Sequence, residues 1–189
     1  MIHKKLLLLL LVTAPSFAQY PTEPFKSVKL GATRDITIIT PESYESGKKD
    51  KKYPLLLLLD GDYLVDPFSG LFSYTSYWDD LPEVIIVGIN QNENNERAND
   101  TGFDKDTGFP AEEGAQFYDF IATELLPYIE KNYRVAPFKI IAGHDATAGF
   151  INAFLFKPID CLKNDKMIFM SPKLIWQIKV FIFHWKNIF

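Results

Sequence analysis

The stretch "KIIAGHDATAGF", Lys139 to Phe150, decides how the rest of the chain is read. "FKIIAG" is a short apolar run ending in glycine, which suits a buried strand, and "ATAGFINAFLFK" beyond it has helical composition. A strand that passes through glycine directly into a helix must turn sharply. The turn displays one side chain, and in this chain that side chain is Asp145.

Working outward, the same architecture recurs upstream. "YPLLLLLDGD" places five consecutive leucines between Pro54 and Gly61, the pattern of a strand covered on both faces. "EVIIVGIN" is a second such strand, "FKIIAG" a third, and "DKMIFMSP" a fourth with its exit. "SVKL" and "RDITIIT", divided by Gly31, are read as short β segments ahead of them, and "PESYESGKKDKK" as an exposed hairpin loop. "DPFSGLFSYTSYW" is read as helical. "AEEGAQFYDFIATELLPYIEKNY" has helical spacing, with acids in its first turn, Lys131 in its last and a kink expected at Pro127. Gln91 to Pro110, with four asparagines, three aspartates and two glycines, reads as a long loop, and loops of that length are usually functional.

Strands alternating with helices predict an α/β fold with a mostly parallel sheet flanked by helices. Sites in such sheets lie outside the carboxyl ends of the strands. Asp60-Gly61-Asp62, the loop from Asn90 to Pro110, and His144-Asp145-Ala146 all fall there.

Composition narrows the function. A 189-residue chain with 47% hydrophobic residues favours one domain with a sizeable core, and a net charge of -4 gives no basic field for a nucleic-acid partner. A lone cysteine, Cys161, forms no internal disulfide framework, and no cysteine–histidine cluster suggests a metal; no cofactor is expected. At the N-terminus, Lys4 and Lys5 precede the apolar run Leu6 to Val12, and Ser16-Phe17-Ala18 offers small residues for cleavage. Residues 1–18 are therefore read as a secretory signal peptide, and the run is too short for the ~20 apolar residues of a membrane span. A periplasmic or secreted protein is expected, with no membrane span after cleavage.

In order and spacing, "YPLLLLLDGD", "GIN" followed by Arg97 and Asp100, "FIATELLPYIEKNYRV", "IIAGHDATAGF" and "MSP" resemble the putative esterase family of the α/β-hydrolase superfamily, which includes esterase D-like and enterochelin-esterase-like enzymes. The resemblance implies an α/β-hydrolase-like domain over residues 26–172 that hydrolyses carboxylic esters. It implies a serine nucleophile at the turn, with an acid and a histidine later in the chain. It also implies an oxyanion hole from the backbone amides of Gly61, Asp62 and Ala146, a pocket mouth shaped by Arg97, Asp100 and His144, and a small ester or peptide-conjugate ligand.

Two departures follow. Asp145 stands where the family has serine, and Thr147 stands where it has glycine, with Gly149 two residues late. The lost glycine is expected to limit how closely the helix approaches its strand. "GHD" is similar to the elbow of epoxide hydrolases, whose aspartate attacks carbon, although those enzymes follow it with Trp where this chain has Ala146. The second departure is at the end: residues 173–189, "KLIWQIKVFIFHWKNIF", carry no acid, whereas the preceding chain carries all 24. An interruption near Ser171-Pro172 is expected, leaving the fold incomplete and this tail atypical.

Weighed singly, His144 reads as a packed, hydrogen-bonded core histidine, Asp60 and Asp62 as turn residues, and His184 as no replacement base. Phe68, Phe72, Tyr74, Tyr77 and Trp78 read as core and cleft wall. The leading expectation is an exported esterase-family protein with Asp145 at the nucleophile position. The alternatives are an inactive, ligand-binding member and an aspartate-nucleophile hydrolase of epoxides or halides.

Overall fold

The computed structural model describes residues 20–91, 96–104, 106–156 and 166–170. The expected signal peptide, the tail from 173, Cys161, Ser171, Pro172 and His184 lie outside them. Six strands form one sheet in the order β1-β2-β4-β3-β5-β6. They are β1 (Thr22–Lys26), β2 (Thr33–Ile39), β3 (Tyr53–Leu58), β4 (Ile85–Ile89), β5 (Val135–Ala142) and β6 (Lys166–Met170). β4, β3, β5 and β6 run parallel, while β2 runs antiparallel to both β1 and β4.

All six residues of β3 and all five of β4 are buried, as continuous apolar runs at the centre of a covered sheet require. Because successive side chains in a strand point to opposite faces, the leucine run divides itself between two cores. Leu55, Leu57 and Leu59 join a cluster with Phe117, Phe120, Ile121, Leu125, Ile129 and Phe150. Leu56 and Leu58 join Val65, Phe68, Phe72, Ile86 and Ile140 on the other face. Each buried leucine contributes about 1.5–3 kcal/mol relative to exposure.

The helices are α1 (Ser43–Ser46), α2 (Gly61–Tyr77), α3 (Glu96–Asp100), α4 (Glu113–Phe120), α5 (Leu126–Asn132), α6 (Ala146–Ile151) and α7 (Ala153–Phe156). A π turn, Ile121–Leu125, joins α4 to α5. It lies where the ring of Pro127 would crowd the carbonyl four residues earlier, so the helix widens at the place where a kink was expected.

Four expectations change. The first strand is "TEPFK", and "SVKL" is part of the turn after it, in which Ser27 N–H donates to the Ala32 carbonyl at 2.9 Å and Gly31 has φ 62°. The segment from Pro41 to Lys52 is no hairpin, because β4 sits between β2 and β3; it crosses over and contains α1. The loop after β4 contains α3 and a bridge between Phe103 and Pro110. Of the aromatic cluster, Phe68 and Phe72 are buried, but Tyr74, Tyr77 and Trp78 are exposed.

Candidate functional site

β3 and β5 are neighbours in parallel register, Leu58 opposite Ala142, so the residues that follow each strand emerge side by side. Asp60-Gly61-Asp62 leads into α2, and Gly143-His144-Asp145 leads into α6. Asp145 is exposed, with φ 57° and ψ −108°. A β-carbon makes that backbone costly, on the order of 1–3 kcal/mol, and it persists only where neighbours hold it. A similar backbone precedes α4 at Glu112, so the dihedrals alone mark a tight entry to a helix. What distinguishes Asp145 is what surrounds it.

Asp60 is the centre of those surroundings. It is fully buried and takes three donors, from α3, from α6 and from the turn between β5 and α6. Its Oδ2 accepts the backbone N–H of His144 at 2.7 Å and the Thr147 hydroxyl, while its Oδ1 accepts Arg97 Nε at 2.8 Å. A buried carboxylate requires such compensation, and charge-assisted bonds are the strong kind. Asp60 is thus more than the turn residue its Asp-Gly sequence suggested. Arg97, on α3, also donates from Nη2 to the His144 carbonyl at 2.5 Å. The bond to Asp60 raises the Arg97 guanidinium above its ordinary value, against the opposing effect of burial.

Thr147 answers the question of the missing glycine. Its side chain is fully buried, and a β-carbon on Gly143 would meet Thr147 Oγ1 at 2.5 Å. Close approach of helix and strand is therefore preserved because Gly143 gives up the space that Thr147 fills. At Gly149 a β-carbon would find nothing within 4 Å, so that glycine makes no such approach.

The pocket-mouth residues separate. Arg97 and His144 lie at the strand ends beside Asp145. Asp100 is 2% exposed and contributes nothing to a mouth: its Oδ1 accepts Arg34 Nη2 at 2.7 Å from β2. Glu96 pairs with the other end of the same guanidinium at 2.6 Å. His144 is exposed rather than packed in the core, because the turn that lifts residue 145 out also lifts its neighbour. Tyr63 OH lies 3.3 Å from His144 Nδ1. Burial raises the Tyr63 phenol above its ordinary value, and the Asp60 charge adds to it. His144 is the one histidine among the described residues.

The three amides assigned to an oxyanion hole open helices: Gly61 and Asp62 begin α2, and Ala146 begins α6. First-turn amides have no intrahelical acceptor and point outward. A β-carbon on Gly61 would meet Asn90 Oδ1 at 2.6 Å and the backbone of β4 at 2.8 Å, so only glycine lets α2 start there. The Asp62 carboxylate is engaged by the Gln91 N–H at 2.7 Å. Among the described residues, no group of His, Cys, Asp and Glu is arranged to hold a metal ion, and no helix is long and apolar enough to cross a membrane.

A family model described as "Putative esterase" matches residues 27–150, from the turn after β1 through the displayed aspartate to α6. The chain belongs to the putative esterase family. Among solved structures, this esterase-family chain is similar to an uncharacterised protein of Capnocytophaga ochracea, with 26% identity and a TM-score of 0.66. It is also similar to an IroE-like serine hydrolase of Shewanella oneidensis (28%, 0.60) and to a ferulic acid esterase (28%, 0.57). These matches cover 74–75% of this chain but only 37%, 48% and 56% of theirs. Enterochelin esterase of Shigella flexneri, at 20% identity and a TM-score of 0.57, shares the fold. No curated protein sequence matches the chain. The α/β-hydrolase-like fold expected from the sequence is that of these neighbours, and the sheet order and elbow place this chain within it.

Proposed function

We propose that this chain is an exported esterase-family protein that receives a small carboxylic ester at the ends of β3 and β5 and does not turn it over, because Asp145 occupies the nucleophile position. The observation that carries this reading is the displayed carboxylate at φ 57°. Family membership and the similar hydrolases support an ester as the ligand class.

The chemistry of position 145 argues against turnover. A carboxylate that adds to an ester carbonyl gives a tetrahedral intermediate with two leaving groups, itself and the alkoxide. The carboxylate is much the weaker base, so it is expelled and the ester is regenerated. Its charge also opposes the oxyanion that the amides of Gly61, Asp62 and Ala146 would stabilise, and such donors contribute about 3 kcal/mol each in working esterases. Attack at saturated carbon has no such return path. An epoxide would open to an alkyl ester of Asp145, and the Tyr63 hydroxyl near His144 is a proton source for the released alkoxide.

Purified protein assayed with p-nitrophenyl acetate and with an epoxide reporter tests this. The expected result is no ester turnover above the uncatalysed rate, in the native chain and in Asp145→Asn alike. Native ester turnover above that rate would overturn the reading, whether or not Asp145→Asn abolishes it. Epoxide opening with mass added at Asp145 would establish the aspartate-nucleophile alternative. Export belongs to the same proposal. Expression with residues 1–18 intact should yield mature protein beginning at Gln19, and an uncleaved chain retained in the cell would contradict it.

A further inference from the structure

We infer that Asp60 and Thr147 are positioning residues, which together with Arg97 clamp the peptide ahead of Asp145 and so impose the backbone that displays residue 145. This rests on the reading of position 145 as the nucleophile position. Thr147, like Asp145, departs from the pattern that the family resemblance implies, and the clamp makes the departure at 147 a part of the site.

Two peptide planes flank Asp145. Its φ and ψ are the rotations of those planes about its α-carbon, so holding both planes holds the residue. The plane after Asp145 is held by the first bond of α6, in which Gly149 N–H donates to the Asp145 carbonyl at 3.0 Å. The plane before it contains the His144 carbonyl, which accepts Arg97 Nη2 at 2.5 Å and lies 3.0 Å from Thr147 Oγ1. The next peptide back is fixed through the His144 N–H, 2.7 Å from Asp60 Oδ2 and 2.7 Å from Thr147 Oγ1. Thr147 hydroxyl accepts from that N–H and gives its own proton to Asp60. His144 is thereby gripped at both its N–H and its C=O.

Burial makes the grip stiff. Asp60 and Thr147 are both fully buried, and hydrogen bonds to a charged acceptor away from water are about twice as strong as neutral ones. The three anchors come from three places in the chain: the end of β3, the start of α6, and α3. A strained backbone persists where its surroundings over-determine it, and here they do. A glycine at 147 would contribute neither hydroxyl bond.

The test reads the backbone directly, so it stands apart from any reaction. In isotopically labelled protein, the Asp145 ¹³Cα and ¹³Cβ shifts report its φ, and amide exchange at His144 reports the grip. Thr147→Val keeps the shape and removes the hydroxyl, Thr147→Ser keeps the hydroxyl, and Asp60→Asn removes the charge. Thr147→Val and Asp60→Asn are expected to speed His144 exchange about tenfold or more and to shift Asp145 away from positive φ. Val87 in β4 should exchange as before, and Thr147→Ser should match the native chain. The inference is overturned if Thr147→Val folds with Asp145 shifts and His144 exchange unchanged, or if Thr147→Ser is as disturbed as Thr147→Val. Should the buried variants fail to fold, Arg97→Gln decides, because that side chain is 33% exposed. It is expected to fold with displaced Asp145 shifts, and unchanged shifts would overturn the clamp. Ester turnover by the native chain would defeat the proposed function while leaving these readouts intact.

Discussion

Asp100 is a carboxyl group held where water scarcely reaches it. Burial raises it from 3.8 to about 6, outweighing the pull of Arg34 at 2.7 Å, and Glu96 on the same guanidinium adds to the rise. Its Oδ2 has no hydrogen-bond partner. Below about pH 4 the folded and unfolded states both hold this proton, and above about 6 neither does. Between those limits only the folded state holds it, so stability falls as pH rises through the window, by on the order of 3 kcal/mol. Thermal unfolding from pH 4 to 7.5 should show that decline in the native chain and a flatter profile in Asp100→Asn. Parallel profiles would show that Asp100 is ionised throughout. The sequence named Asp100 but could not place it, because its partner lies 66 residues away on β2. Asp60 was hidden in the same way, with partners 37, 84 and 87 residues distant. A signal was present all the same: an aspartate directly after five buried leucines has to find donors.

Legibility of the elements follows their burial. β3, β4 and β5 were readable because covered strands are written as apolar runs, and the long helix because its spacing is regular. β1 was not, since "TEPFK" is a mostly exposed edge strand with a proline, and Phe25 alone packs against the core. α3 was missed because five residues make no periodic pattern, and its helix is anchored from outside by Arg34. Glu124 shows how one element secures another. It lies in the π turn, where it is half-buried. Its Oε2 takes the Ser27 hydroxyl at 2.5 Å, and its Oε1 takes the Val28 and Lys29 amides at 3.1 and 3.2 Å. The carboxylate thus caps the β1–β2 turn, which explains why "SVKL" is not a strand. Glu124→Ala should lower stability by about 1.5–3 kcal/mol in urea, with an unchanged dependence on denaturant. A loss under about half a kcal/mol would show the turn to be held by its own backbone bonds.

At the scale of the molecule, the sheet separates two cores: both run up to the end of β5, and one of them also takes in α6. Phe150, in α6 shortly after the turn, is fully buried in the first cluster. Its ring centroid lies 5.4 Å from Phe117, 6.0 Å from Phe154 and 6.1 Å from Phe103. α6 is therefore pinned to α4 and to the segment after α3, the same segment whose helix carries Arg97. Phe72, on α2, belongs to the second cluster across the sheet. Phe150→Ala is expected to cost about 3–5 kcal/mol, and Phe72→Ala a comparable or smaller amount because Phe72 keeps some exposure. Their effects on the elbow should differ. Removing Phe150 frees the start of α6 and with it the plane after Asp145, so amide exchange across residues 143–150 should rise beyond what global unfolding accounts for. Removing Phe72 should raise exchange there only in step with overall stability. Equal loosening of the elbow by both variants at matched stability would mean that the sheet transmits the disturbance as a rigid whole, and that the elbow owes its shape to global stability rather than to the core beneath it.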